Sequence, residues 1–392
     1  MTFTLTLNHN GVDVSGYTEA QVSLTNGRRT TSEQFRGRGM NVSLVWDSFI
    51  GALDPLDFQV NDTLVLTVTT TGVGGAGYAY DLVISDVRID RNRVNLTAVS
   101  RQYAWLGRSQ LDLPAYTDQL TGYVIRDVLD RALAAGIVTA AAVADVSATN
   151  GTVTVSTDAG TYNLLQFLQT VAASEPLGML MERRQGTSWL SYNDFRNTAS
   201  NFSTLYDFSA KDIWAYPWEL TRTAADYANT AVVNWRGGSV SFTDPVSVAA
   251  VGKYETSVST YIANQTDAEY LARRIVTFGT DPGLRINELK INTADPSLTA
   301  GNRNQIANAM FRPGRRIKTP TIVTGGPTEW VVHGRRDDFV YGGGAAQWKT
   351  TFYVIDRTYW DVAQRWQDVI SGVTWATVNP AYTWQQLERF DI

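Results

Sequence analysis

The chain has 392 residues, with 38 acidic against 33 basic side chains, a net charge of −5 and no cysteine. That length is too great for one compact core and predicts about two to four domains. The missing cysteines exclude structural disulfides, cysteine-ligated zinc, haem attachment and thiol nucleophiles, and the acidic balance argues against a dedicated nucleic-acid binder, which needs a dense basic face to release counterions.

Positive charge is nearly all arginine, since Lys211, Lys253, Lys290, Lys318 and Lys349 are the only lysines. Twelve tryptophans and eighteen tyrosines supply side chains that pack cores and anchor protein interfaces. The start, Met1 to Leu7, alternates polar and apolar residues and has neither the charged lead nor the unbroken apolar run of a signal peptide. No run approaches the roughly 18 apolar residues of a spanning helix, so stable membrane insertion is not expected.

Residues 1–112 are predicted to be strands. Phe3, Leu5 and Leu7 alternate, as do Val22 and Leu24, then Val42, Leu44 and Trp46, then Leu64, Leu66 and Val68. Period two places one face of each strand in a core. Val87 and Ile89, the polar turn Asp90–Arg93, and Val94, Leu96 and Ala98 read as a hairpin. With no helical segment among them, these strands predict a barrel or sandwich.

Residues 113–215 change period. Ile125, Val128, Leu129, Ala132 and Leu133 recur at helical spacing after Thr121, and Gly136 marks a stop. A strand over Thr152–Thr157 is followed by a second helix from about Tyr162, its face formed by Leu164, Leu165, Leu168, Val171 and Ala172 and its end set by Pro176. Leu177–Tyr192 reads as a hairpin turning at Gln185-Gly186, which completes a small α+β domain.

Residues 216–360 return to strands, around Ala231–Trp235, Ser239–Phe242, Arg285–Ile291, Arg316–Ile322, Thr328–His333 and Gln347–Ile355. Among them one helix is signalled by a capping box at Thr266-Asp267-Ala268-Glu269, a stripe of Leu271, Ile275 and Phe278, and Gly279. Residues 361–392 repeat a nine-residue unit in which a tryptophan is followed three positions on by an aliphatic residue: Trp366 and Val369, Trp375 and Val378, Trp384 and Leu387. The repeat is too short to build a core of its own, so it lies against another surface. Either a docking segment at an assembly interface or an extension folded back on its own domain fits, and these six are the candidate interface residues.

Catalytic patterns are absent. His9 and His333 have no metal-ligand spacing or nucleophile elbow around them, and both read as structural. Asp337-Asp338 is the tightest acidic pair, but beside Arg335-Arg336 it reads as a solvated loop sooner than as a glycosidase pair. The Gly72–Gly77 stretch lacks the Lys-Ser/Thr ending of a phosphate loop and, like Gly342–Gly344, reads as a hairpin tip. Arg312, Arg315 and Arg316 around Pro313-Gly314 suit a phosphate or an acidic patch on a neighbour. No catalytic, cofactor-binding or metal-binding residue is assigned, and the chain is expected not to be an enzyme.

Several segments, in order, resemble the tail hub proteins of siphophages, the baseplate hub or minor tail protein family. Val94–Ser100 with Tyr103–Arg108 is similar to the end of the first hub barrel, itself like a tail-tube fold. Tyr162–Ala173 followed by Gly178–Met181 and Ser188–Ser191 looks like the inserted α+β domain. Tyr261, Thr266–Phe278, Pro282 and Ile286–Ile291 resemble the lead-in to a second barrel, and Arg312–Ile317 and Gln347–Val354 its strands. The tryptophan-rich ending is similar to minor tail proteins of actinobacterial phages.

The resemblance implies a mainly β fold in which two tube-like barrels flank the α+β insertion and the repeat follows as an extension. It further implies a homotrimer at the tail tip of the virion, made in the host cytoplasm. Its partners would be the distal tail protein, the tube protein, the tape-measure protein and tip or fibre proteins. The channel would pass DNA without specific binding, which suits an acidic chain. Three other readings stay open: a receptor-binding minor tail protein contacting host glycans, a tail-associated cell-wall hydrolase, and the distal tail protein itself.

Overall fold

The computed structural model describes residues 3–27, 38–45, 54–70, 77–140, 143, 146–175, 178–182, 190–193, 205–207, 220–221, 227–280, 285–286, 288–292, 316–319, 328–340 and 347–356. The Trp366–Leu387 repeat, the turns at Gln185-Gly186 and Gly342–Gly344, and Arg312–Arg315 lie outside them, as does Gly72–Gly77 apart from Gly77.

The predicted strands of the first section form, with hydrophobic alternation setting which side turns inward. They are β1 (Phe3–His9), β2 (Val12–Asp13), β3 (Thr18–Gly27), β4 (Gly39–Val45), β5 (Thr63–Thr70), β6 (Gly77–Asp90) and β7 (Arg93–Ser100). Leu7, Leu24, Met40, Leu44, Leu66, Leu82 and Leu96 are almost wholly inaccessible to solvent and share one core. The expected turn is present, Asp90 pairing with Arg93 where β6 reverses into β7. The expectation of no helix is wrong: Arg101–Arg108 forms α1. Ser100 closes β7 and also caps that helix, its hydroxyl accepting from the Tyr103 N–H, so one residue switches the chain from period two to period 3.6.

The middle section follows as β8 (Gln110–Leu113), β9 (Tyr116–Leu120), α2 (Thr121–Ala134), β10 (Thr154–Thr157), β11 (Gly160–Asn163), α3 (Leu164–Ser174), β12 (Met179–Glu182) and β13 (Leu190–Asn193). Val124, Ile125, Val128, Leu129 and Ala132 of α2 pack with Leu164, Phe167, Leu168 and Val171 of α3 in a second core. Gly136 terminates α2 with φ +70°, a left-handed value cheap for glycine. The second helix begins two residues later than its apolar spacing suggests. Tyr162 belongs to β11, and Asn163, accepting from the Gln166 N–H, fixes the start at Leu164.

Beyond lie β14 (Leu205–Asp207), β15 (Leu220–Thr221), β16 (Thr230–Trp235), β17 (Gly238–Thr243), α4 (Pro245–Val251), β18 (Glu255–Ser259), α5 (Gln265–Gly279), β19 (Arg285–Ile286), β20 (Glu288–Asn292), β21 (Arg316–Lys318), β22 (Glu329–Val340) and β23 (Gln347–Asp356). The parallel partner β18 and the helix α4, capped by Asp244, carried no signal used in the sequence. The cap of α5 is Asn264, two residues before the expected Thr266; its side chain bonds Asp267 reciprocally, so the box is Asn264–Asp267. Residues of α5 pack on β16 in a third core, with Ala231, Val233, Leu271 and Val276.

Among the described residues twelve strands form one open, curled half-barrel sheet, and it draws on both ends of the chain. The path runs β14-β21-β22-β3-β4-β7-β6-β5-β1-β2, and β23 pairs with β22 and β20. The strand at the join is β22. One edge holds β23 along its length; the other pairs with β21 at 329–331 and with β3 at 334–340. The change of partner coincides with an irregularity between Val332 and Gly334, and Gly27 of β3 lies opposite with φ +81°. A Cβ on Gly27 would stand 2.6 Å from the His333 carbonyl oxygen, so the close approach requires glycine.

Candidate functional site

The most built-up polar arrangement among the described residues stands on β22, where it joins the first section. Asp337 and Asp338, expected in a loop, are consecutive residues of this strand. Their side chains therefore leave opposite faces and cannot cooperate as an acid/base pair. The hydrophobic neighbours that would have betrayed a strand are displaced here by charge, which is why the loop reading fails.

On the core side, Asp337 is fully buried and Arg335 is 3% exposed. The guanidinium donates from Nε to both carboxylate oxygens at 2.9 Å, and Trp348 Nε1–H and the Thr350 hydroxyl donate to Oδ1 at 2.7 and 2.8 Å. Phe352 and Trp348 lie under the guanidinium, 5.2 and 5.8 Å from it. Every donor comes from β22 or β23, and Trp348 and Phe339 belong to the core built by the first section. The cluster thus fastens the β22–β23 hairpin into that core. On the other face Asp338 accepts from Ser23, Gln21 and Arg336 at 2.5, 2.8 and 2.9 Å, stitching β22 to β3.

A second buried carboxylate ties the middle section to the same sheet. Glu182, at the end of β12, accepts from the Arg38 backbone N–H at 2.9 Å and from the Ser100 hydroxyl, while its own carbonyl accepts from Asn26 at 3.3 Å. Burial pushes its pKa above the usual carboxylate value, against the opposing pull of Arg38 and these hydrogen bonds. Glu175, after α3, accepts from the N–H groups of Thr152 and Val153 at 3.0 Å each and from Thr121, holding the start of α2 to the segment that leads into β10. Neither glutamate was flagged in the sequence. Their one signal was a lone acid flanking an apolar strand or helix, and many solvated acids share it.

His9 bonds Asp62 at 2.8 Å and stacks on Phe58, closing the end of β1. His333 is buried at the irregularity of β22. Among the described residues no three histidine, aspartate or glutamate side chains come together as a metal site. No helix there is long and apolar enough to cross a membrane. Of the arginine group only Arg316 is described, within β21. The arrangement described is one of fastening. Asp337 takes its donors from its own strand and from β23, Asp338 from β22 and β3, and Glu182 from Arg38 and Ser100 outside the middle section.

Over nearly its whole length this architecture has counterparts of known structure. The fold is that of phage tail proteins. The 43 kDa tail protein of prophage MuSo2 from Shewanella oneidensis superposes with a TM-score of 0.55 at 10% identity, over 91% of this chain and 99% of that one. A tail protein from Neisseria meningitidis gives 0.56 at 9% identity, over 92% and 98%. No protein-family profile matches the sequence, and no curated protein matches it by sequence. At such identities the likeness is one of fold, kept by core pattern and topology.

Proposed function

We propose that the chain is a structural, non-enzymatic subunit of a phage tail, acting as the hub at the tail tip. One observation carries the reading: the match over 91% and 92% of this chain and 99% and 98% of two tail proteins, so that nearly the whole fold is shared with them. Three copies form a ring that continues the tube, joins the distal tail protein to tip or fibre proteins, and passes tape-measure protein and DNA. Residues 1–112 and 216–360 supply two strand-built sections per copy, and 113–215 is the insertion. Within one copy the two sections share a sheet, β22 and β23 continuing that of β3–β7. The fixed, buried ion pairs also suit a part that must hold its shape under load.

The 361–392 repeat docks on a neighbouring subunit through Trp366, Val369, Trp375, Val378, Trp384 and Leu387. The test is the composition of washed particles. Mass spectrometry should find the chain there at a three-fold multiple, and replacing the three tryptophans with alanine should leave the free chain folded but lower its incorporation. Absence of the chain from particles, or clearing of host cell wall by the pure protein, overturns the proposal.

A further inference from the structure

Between β4 and β5 the chain makes a short 3-10 turn, Pro55–Asp57, and follows it with Phe58–Asp62. The turn is held firmly. The Asp54 carboxylate accepts from the Leu56 N–H at 2.9 Å, and Pro55 fixes the first turn position. Phe58 is buried in the first core and stacks on the His9 ring, whose centroid is 4.4 Å away, while His9 bonds Asp62 at 2.8 Å. The Asn61 N–H and the Asp62 carbonyl bond Ile84 of β6 at 2.8 and 3.0 Å. Around this support stand side chains that the core does not take. Leu56 is 72% exposed, Val60 50%, and Val12, the registered neighbour of His9, 64%.

Single exposed aliphatic residues are ordinary on a protein surface. These three differ because they gather about one fixed turn, and a surface already ordered loses little freedom when a partner covers it. Interleaved with them are the carboxylates of Asp13, Asp54 and Asp57, all exposed and none ion-paired among the described residues. That charge selects the partner. It repels a phosphate backbone, so nucleic acid is the wrong occupant. A second copy is a poor one, because its cations Arg88, Arg93, Arg126, Arg131, Arg236 and Lys290 are already paired with acids of their own chain. Complementarity asks for apolar side chains framed by unpaired cations.

We infer that the turn around Leu56, with Val12 and Val60 beside it, is a docking point for a different protein chain whose surface offers an apolar pocket framed by lysine and arginine. The inference rests on the tail reading above in one respect: the partner is sought in the assembled tail.

Purified tails supply the test. Benzoylphenylalanine in place of Leu56 should, on illumination, form an adduct with a different chain, at a segment where apolar residues alternate with lysine or arginine. The same group in place of Val246, exposed on α4, should not give that adduct. Leu56→Ser with Asp57→Lys should lower the amount of chain retained in washed tails about ten-fold, the effect of losing roughly one interface anchor. The isolated variant should melt as the wild type does, since both side chains are exposed. Wild-type retention of the variant, no adduct, an adduct with a second copy, or one at an acidic segment overturns the inference and leaves the hub reading intact. A wild-type chain missing from tails overturns the hub reading and the inference with it.

Discussion

Replacing Asp337 with alanine is the sharpest perturbation of the join between β22 and the first core. The carboxylate receives Arg335, Trp348 and Thr350, and all four residues are almost wholly buried. Its removal strands a cation that is 3% exposed, together with an indole N–H and a hydroxyl. Leaving one charge of a buried pair without its partner costs about 3–5 kcal/mol, and each orphaned donor adds roughly 1–3 kcal/mol before relaxation. These terms exceed about 5 kcal/mol before relaxation, so the expected loss is at least about 4 kcal/mol, near the top of what single substitutions do. Asp338→Ala, one residue on, should cost less, about 1–2 kcal/mol, because its charged partner Arg336 is 41% exposed and water replaces that bond, leaving chiefly the Ser23 hydroxyl without its acceptor. Arg335→Met with Asp337→Leu should recover most of the Asp337→Ala loss, since the penalty comes from the unpaired charge and not from missing attraction. Urea unfolding followed by near-ultraviolet circular dichroism compares the four proteins. Equal losses for the two aspartates, or a double variant no better than Asp337→Ala, would refute the argument.

Gly27→Ala should destabilise by more than the roughly 1–2 kcal/mol that a left-handed φ costs other residues, because the new Cβ meets the backbone of β22; amide exchange should quicken at Arg335–Asp338 and stay slow in α2. Glu182→Gln should be tolerated at neutral pH. The raised folded pKa means that this group's contribution is full below its unfolded value, about 4.3, and is lost as pH rises toward the folded one, so the variant should flatten that decline in melting temperature. Asp62 behaves oppositely. Burial opposes its ionisation, but hydrogen bonds from His9, the Gln59 N–H and Asn10 outweigh it and lower the pKa. Its contribution is present above about 3.9 and is lost as pH falls through the folded value, so Asp62→Asn should weaken the acid dependence there in a melting series.

What the sequence disclosed depended on whether one residue's neighbours were enough to determine its place. Alternation of Leu64, Leu66 and Val68, or the helical spacing of Ile125, Val128 and Leu129, is local, and those elements stand where it places them. Ser100 ends a strand and caps a helix at once, so the helix after it was hidden inside a run of strands. Arg335–Asp338 is as polar as a loop, and only Trp348 and Thr350, brought alongside by β23, make it a strand interior. The join of β22 to β3 pairs residues more than 300 positions apart, as Asp338 with Ser23, and no local pattern encodes it.

The hub reading proposed above stands on three copies of this chain closing a ring at the tail tip. Symmetry-free averaging of images of the intact tail, at side-chain detail, tests that directly. The hub reading predicts three copies at the distal end of the tube, with the β22–β3 pairing unbroken in each. Copies arranged without rotational symmetry, or absent from the distal end, would contradict it.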